Sequence, residues 1–484
     1  MAVTKVKSHA NLIGGDWKTS NGNALESHNP ADHKEIIGLF PMATLEDTKN
    51  AIDAARSALP AWAKTPAPAR GAILHKASLI LSARLDEIAT KLTREEGKTL
   101  AEAKGEVTRA RDIFQYYGGE GLRYGGQVLP SSVSDELLYT RREPLGVVSI
   151  ITPWNFPIAI PAWKIAPALV YGNTVVFKPA EDAPLTALLM IEALVEAGLP
   201  AGVVNFLTGD GALIGTEMAN NPIVSGISFT GSHPTGVKVY QNAIQTMARV
   251  QLEMGGKNAL VVLKDGDLGL AVELAGKSGF GLTGQACTAA SRVIVDEEIA
   301  DEFVLALAQA ARRLVVGNGL ESVVQMGPLV NHDQLETSQS YMSLGKKEGA
   351  KLVVGGEVDG KKGYFAQATI FDYVEPSMRI AQEEIFGPVI SVIRSRGLND
   401  AIEKTNAISF GLSAGVVTKD LKAAFAFANQ VDAGVVKINE PTTGLALNAP
   451  FGGFKGSSAN TFKEQGQAAV EFYTRTKTIY VNHG

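Results

Sequence analysis

The sequence predicts an α/β protein built from two parallel-sheet units with a small separate β element. Three observations predict it. Short apolar runs alternate with amphipathic stretches from residue 144 onward, the alternation restarts after the Gly-Gly pair at 255–256, and two polar-flanked β stretches belong to neither set. Strands separated by helix-length segments imply βαβ units whose sheets are covered on both faces. A chain of 484 residues is also too long for one compact core.

In chain order, a short β-like segment at 12–17 comes first. Residues 44–124 read as helical, because apolar residues recur at three- and four-residue steps through 51–63, 73–92 and 101–117. Pro60, Pro66 and Pro68 separate the first two of these helices. The first alternating set has strands at 147–151, 174–177, 203–207 and 226–229, with helices at 160–171, 185–197, 212–220 and 235–247. Residues 253–257 read as a turn leading to the second set. Its strands are 259–263, 292–295, 351–354, 389–393, 412–417 and 435–438, with helices such as 299–314 and 421–430. The stretches left over, 137–142 and 477–481, read as a protruding sheet that another subunit would cover.

Composition narrows the function. With 45% hydrophobic and 20% charged residues the chain is globular. A net charge of −5 leaves no basic field for nucleic acid or an anionic membrane. The opening residues carry no signal-like apolar core, and no run approaches the roughly 20 residues that span a bilayer. A cytoplasmic enzyme acting on a small molecule is expected. The single cysteine excludes an intrachain disulfide and Cys-rich metal sites, and the seven histidines lack ligand spacing, so no metal is expected.

A lone cysteine is ordinarily a small buried hydrophobe. Cys287 instead ends the run Phe280-Gly-Leu-Thr-Gly-Gln-Ala-Cys287, among small neighbours that leave room for a substrate at sulfur. Attack by its thiolate on a carbonyl carbon gives a tetrahedral alkoxide, which needs hydrogen-bond donors. Asn155, in Thr152-Pro-Trp-Asn-Phe-Pro157, follows a predicted strand at the edge where sites form, although such a segment also reads as a plain turn. Glu253, before Gly255 and Gly256, offers a mobile general base; alone it also reads as a solvated surface side chain. Lys178 and Glu181 follow the second strand of the first set and suit an adenosine ribose. Gly231, Ser232 and Gly236 precede and open a helix whose amides suit a pyrophosphate. The segment Gly209-Asp-Gly211-Ala-Leu-Ile-Gly215 misses the dinucleotide fingerprint by one residue and carries no argument.

Taken together, these motifs resemble the aldehyde dehydrogenase superfamily from Asn11 to Lys477. The most specific are Phe-x-x-x-Gly-Gln-x-Cys ending at Cys287 and Glu-Met-Gly-Gly-Lys starting at Glu253, 34 residues earlier. Pro153-Trp-Asn-Phe-Pro157, Glu383-Glu-Ile-Phe-Gly-Pro388 and Pro450-Phe-Gly-Gly-Phe-Lys455 add to them. The resemblance implies two Rossmann-type α/β domains plus a small β oligomerisation extension. An NAD(P)-binding domain would span 1–124 and 145–254, a catalytic domain 255–467, and the extension 125–144 and 468–484. It implies Cys287 as nucleophile, Glu253 as the base for deacylation, and Asn155 with the Cys287 amide as oxyanion hole. Cofactor contacts would come from Trp154, Lys178, Glu181, Gly231, Ser232, Gly236, Glu384 and Phe386. NAD is the implied cofactor, favoured by the carboxylate of Glu181, with NADP also possible through Lys178. A substrate tunnel is implied at Tyr117, Phe156, Trp163, Leu445 and Phe451, and a homodimer or homotetramer in which one subunit's strand extends the neighbour's sheet.

Runs at 160–175, 288–295 and 464–473 resemble the bacterial α-ketoglutaric semialdehyde (2,5-dioxopentanoate) dehydrogenases. The tunnel positions are all apolar or aromatic, which also suits medium-chain aliphatic or aromatic aldehydes, and no Arg or Lys for a substrate carboxylate stands out. An acylating branch using coenzyme A lacks the glutamate present at 253. A cysteine esterase would need an activating histidine, and none lies near these motifs in sequence. A structural protein reusing the fold would have no need of Cys287, Glu253 and Asn155 together.

Overall fold

The computed structural model describes residues 6–19, 24–458 and 461–484. Its first large sheet runs, in spatial order, Arg249–Met254, Val224–Gly231, Val147–Ile151, Thr174–Lys178, Val204–Phe206, Asn11–Ile13 and Asp16–Lys18. The first five strands are parallel, and the two N-terminal ones form an antiparallel edge. Val147–Ile151 and Thr174–Lys178 are runs of mostly β-branched residues, nearly all buried, as a doubly covered sheet requires. The chain moves outward one way from Val147–Ile151, then returns to its other side with Val224–Gly231. Between these two strands lies the switch point where such sheets bind ligands beyond their C-terminal ends.

The second sheet runs Lys351–Val354, Thr369–Asp372, Val389–Ser395, Ala290–Asp296, Asn258–Val262, Ser413–Val417 and Val435–Ile438, parallel except for its first pair. The segments ending at Asn155 and Gly231 leave the C-terminal ends of first-sheet strands. Cys287 and Phe386 instead precede the N-terminal ends of second-sheet strands. The site forms where these opposite strand ends face each other.

Helices Leu45–Lys64, Ala67–Ala83, Leu85–Glu96 and Leu100–Glu120 fill the predicted helical region. Pro60 lies inside the first helix instead of ending it, and 73–92 is two helices meeting at Arg84. The Leu100 helix begins at a capping box, with the Thr99 side chain on the Glu102 amide and the Glu102 side chain on the Thr99 amide. Residues 253–254 are strand, not turn. Arg249–Met254 carries Gln251 and Glu253 into the interior, where Gln251 hydrogen-bonds Ser228 and the Lys463 carbonyl. A buried polar pair breaks the apolar run that marks the other strands. The antiparallel pair Ala24–Asn29 and Asp32–Pro41, strand Thr369–Asp372, and helices Leu268–Phe280 and His332–Lys347 add elements that periodicity did not mark.

Glu136–Pro144 pairs antiparallel with Thr474–Asn482 and with Val128–Leu129, forming the predicted small sheet. Tyr480, Val128 and Leu137 are exposed on it. Residues 468–473 are not part of this sheet. They form a short helix whose Ala469, Val470, Phe472 and Tyr473 pack into the core around the first sheet. No helix among the described residues is long and apolar enough to cross a membrane.

Candidate active site

Cys287 follows a strained turn. Leu282 and Thr283 both take left-handed backbone, φ 53° and 57°, conformations that side-chain-bearing residues rarely adopt. The surroundings hold the turn in place: the Leu282 amide donates to Glu102 (2.8 Å), the Thr283 hydroxyl to the Gly327 carbonyl (3.0 Å), and the Val330 amide to the Gln285 side chain (3.0 Å). Gly284 has φ +70°, and a Cβ there would lie 2.3 Å from the Gly387 carbonyl oxygen, so only glycine fits. Asn258 then donates to the Cys287 carbonyl at 2.8 Å, fixing the peptide just after the thiol.

Asn155 is buried, and its amide donates to the Gln285 carbonyl at 2.9 Å, two residues before the thiol. Its own turn is held from below. Lys98 donates to the Asn155 carbonyl (2.7 Å) and to Glu106 (2.5 Å), while the other Glu106 oxygen accepts from the Ile158 and Ala159 amides (3.0 and 3.1 Å). Sequence reasoning missed Lys98 and Glu106. Glu106 showed only as a charged residue on an apolar helical face, and Lys98, in the loop between two helices, gave no signal.

Two carboxylates flank the thiol. Glu384 accepts from the Gly256 amide at 2.8 Å and packs so closely on Gly255 that a Cβ there would lie 1.9 Å from its Oε2. Burial pushes Glu384 up to about 7. Glu253 is buried on its strand, not on the surface; one oxygen accepts from the Gly453 amide at 3.3 Å and the other has no partner. Burial, then the neighbouring Glu464, raises it well above the usual carboxylate range, opposed by Lys463 and Lys164. Burial pushes the Cys287 thiol up to about 12, reinforced by Glu384 and Glu253. Gly255 and Gly256 serve close packing here: a Cβ on Gly256 would meet the Asn258 side chain at 2.8 Å.

A cavity of about 280 Å³ has Cys287, Asn155, Trp154, Gly231, Ser232, Glu384 and Phe386 in its wall. Phe386, in left-handed backbone (φ 58°), meets Trp154 edge-to-face with ring centres 5.4 Å apart. Gln334, from a helix the motifs did not include, donates to the Ile385 and Phe386 carbonyls at 2.8 and 3.0 Å and holds that loop. Gly236 lies one turn into the helix that Ser232 precedes, packed against Met254. Lys178 and Glu181 sit apart from this cavity. Lys178 donates to Glu181 at 3.1 Å, and the same Glu181 oxygen accepts from the Gly211 amide at 2.7 Å. A ring-sized apolar wall, a fixed acceptor carboxylate and a helix N-terminus together fit a nicotinamide nucleotide.

Of the five predicted tunnel residues, Leu445 and Phe451 line a second cavity of about 410 Å³. Trp163 and Phe451 are 6.1 Å apart between ring centres, Trp163 donates to Glu464 at 2.8 Å, and Lys98 lies 4.6 Å from the centre of the Phe156 ring. Tyr117 is buried with an unpartnered hydroxyl, and Leu445 is half-buried.

The sequence model of the aldehyde dehydrogenase family matches residues 17–479. The chain belongs to that family. Aldehyde dehydrogenases similar to it include the alpha-ketoglutaric semialdehyde dehydrogenase of Bacillus subtilis (strain 168), 46% identical and covering 99% of both chains. The 2,5-dioxopentanoate dehydrogenase of Saccharolobus solfataricus is 45% identical over 98% of this chain and 99% of its own. Among solved aldehyde dehydrogenases, the betaine aldehyde dehydrogenase of Staphylococcus aureus in complex with NAD+ superposes with TM-score 0.95 at 35% identity, over 98% of this chain and 95% of that one. The expected α/β aldehyde dehydrogenase fold and the reaction class, oxidation of an aldehyde with a nicotinamide cofactor, are those of the family.

Proposed function

We propose that the chain oxidises α-ketoglutaric semialdehyde to 2-oxoglutarate through a thiohemiacetal and then a thioester on Cys287. The observation that carries this is the convergence of Cys287, Asn155, Glu384 and Phe386, far apart in sequence, on one cavity. The substrate follows the names of the B. subtilis and S. solfataricus relatives. Cys287 gives its thiol proton to water, its sulfur bonds to the aldehyde carbon, and the carbonyl π pair moves to oxygen, which becomes an alkoxide. Asn155 spends one amide proton on Gln285, which orients the other, together with the Cys287 amide, toward that oxygen. NAD, when bound, supplies the hydride acceptor. Glu384 would hold its nicotinamide ribose, Phe386 and Trp154 would confine the ring, Gly231, Ser232 and Gly236 would hold the pyrophosphate, and Lys178 and Glu181 the adenosine ribose.

Deacylation falls to Glu253. Its unpartnered oxygen takes a proton from water as the water oxygen attacks the thioester carbon, and the thiolate leaves. Glu181 favours NAD over NADP, because a 2′-phosphate beside it would be repelled; Lys178 leaves NADP possible. We assign the cofactor domain to 1–124 and 145–254, the catalytic domain to 255–467 and the oligomerisation extension to 125–144 with the C-terminal strand. In a homodimer or homotetramer, the free edge of Thr474–Asn482 would extend a neighbour's sheet at the free edge Val435–Ile438. The enzyme would work in the cytoplasm.

Rapid-quench kinetics of Glu253→Gln tests the mechanism. A first turnover of NADH should appear, followed by a stall and a mass adduct on Cys287. Full steady-state turnover by this variant would remove Glu253 from the scheme.

A further inference from the structure

We propose that Arg109 reads the substrate's carboxylate at the outer end of the aldehyde tunnel; this rests on the substrate reading above. Glu106, Arg109, Ile113 and Tyr117 recur at three- and four-residue steps along Leu100–Glu120 and therefore share one face, packed against helix Ala159–Val170. Glu106 grips the start of that second helix near Asn155, Tyr117 is a tunnel residue, and Arg109 lies between them. From there the guanidinium reaches across to the Leu445 carbonyl (2.6 Å) and the Gln465 side-chain oxygen (2.8 Å), in the segment that carries Phe451 and Glu464. Both walls of the tunnel thus meet at Arg109.

Its guanidinium has no direct ion-pair partner among the described residues. A partly desolvated arginine ordinarily has a carboxylate partner. Among the described residues no carboxylate oxygen lies within 4.0 Å of Arg109, and both its acceptors are neutral. The acids around it are committed elsewhere. Asp112 pairs with Arg111 at 2.7 Å, and Glu464 holds Lys164 and the Trp163 indole. Burial disfavours the guanidinium's charge, and Asp112, then Tyr117, are close enough to offset part of that. The two contacts leave donors of the five-proton fork unused, and the fork matches a carboxylate in two-point geometry. The unpartnered Tyr117 hydroxyl supplies a further donor for the oxo group beside that carboxylate. An aldehyde with a 2-oxo acid at its far end fits this pair, which a neutral aldehyde of the same length would leave unpaired.

The test compares kcat/KM for 2,5-dioxopentanoate with that for pentanal, in wild type, Arg109→Leu and Arg109→Lys. In wild type the ratio should favour the acid. Arg109→Leu should lower that ratio about tenfold to a hundredfold, the usual range for losing hydrogen bonds to a charged group, and Arg109→Lys should restore part of it. If Arg109 only straps the helix to the 445–465 segment, both substrates fall together and the ratio holds, which overturns the inference while leaving the substrate reading intact. A wild type indifferent to the carboxylate overturns both. Should Arg109→Leu fail to fold, the lysine variant decides: an unchanged ratio overturns the proposal, and a partial fall supports it.

Discussion

The two sides of Cys287 are built on different plans. On the cavity side, contacts are short and mutual: Glu384 is locked between Gly255 and Gly256, Gln334 holds the 385–386 peptides, and Asn155 is tied to Gln285. Both sides leave buried polar atoms without a protein partner, Asn155 Oδ1 and Thr230 Oγ1 in the cavity wall, one Glu253 oxygen and the Tyr117 hydroxyl on the other side. Only on that other side is an open atom a carboxylate oxygen. An unpaired buried polar group costs on the order of 1–3 kcal/mol, so such a group persists where another role compensates. In the proposed mechanism, the locked groups of the cavity side serve what is common to every aldehyde, and the open Glu253 oxygen meets water on the other.

The largest effect tests the atom between the two sides. Cys287→Ala should abolish NADH production while leaving NAD binding, measured by fluorescence titration, within about threefold. A comparable loss of binding would mean that the cavity's order depends on the thiol. Next, Asn155→Ala should lower kcat about a hundredfold to a thousandfold with a smaller change in KM, as for other oxyanion donors. A change confined to KM would make Asn155 part of the binding surface alone.

Much of the cavity side was legible because its residues come in contiguous runs, Trp154-Asn155, Gly231-Ser232, Glu384 to Phe386, each leaving a strand or preceding one. Near-continuous apolar strands such as Val147–Ile151 were legible for the same local reason. On the tunnel side only the resemblance marked Tyr117, Trp163 and Leu445, and Arg109 and Glu464 had no motif. These residues are scattered over more than three hundred positions and come from two helices and the loop segment 445–464. Strand Arg249–Met254 was hidden because Gln251 and Glu253 look solvated until Ser228 and the 453–463 segment close over them. Gln334 had no motif at all.

Two smaller effects sharpen the comparison. The thiol stands near 12 partly because of carboxylate charge, so removing a negative neighbour must lower it. Alkylation of Cys287 by iodoacetamide in the unliganded enzyme should keep rising through pH 9. In Glu253→Gln the whole profile should move to lower pH, by about one unit for a contact of this kind; a shift to higher pH would mean that Glu253 activates the resting thiol. Smallest of all, Glu181→Gln should raise the NADP/NAD ratio of kcat/KM by about threefold to tenfold, as expected for relieving one partly screened repulsion. An unchanged ratio would separate Glu181 from the ribose.

The clasp of Glu384 on Gly255 carries a practical consequence. A Cβ at 255 would lie 1.9 Å from Glu384 Oε2, so any side chain there displaces the carboxylate that the Gly256 amide holds. Redesign of coenzyme choice therefore has its freedom at the far corner, around Lys178, Glu181 and Gly211, where Glu181 is 44% exposed and its bonds are few. Under the proposed assignment, the two ends of the dinucleotide would be retuned separately, and only the adenosine end without disturbing the chemistry.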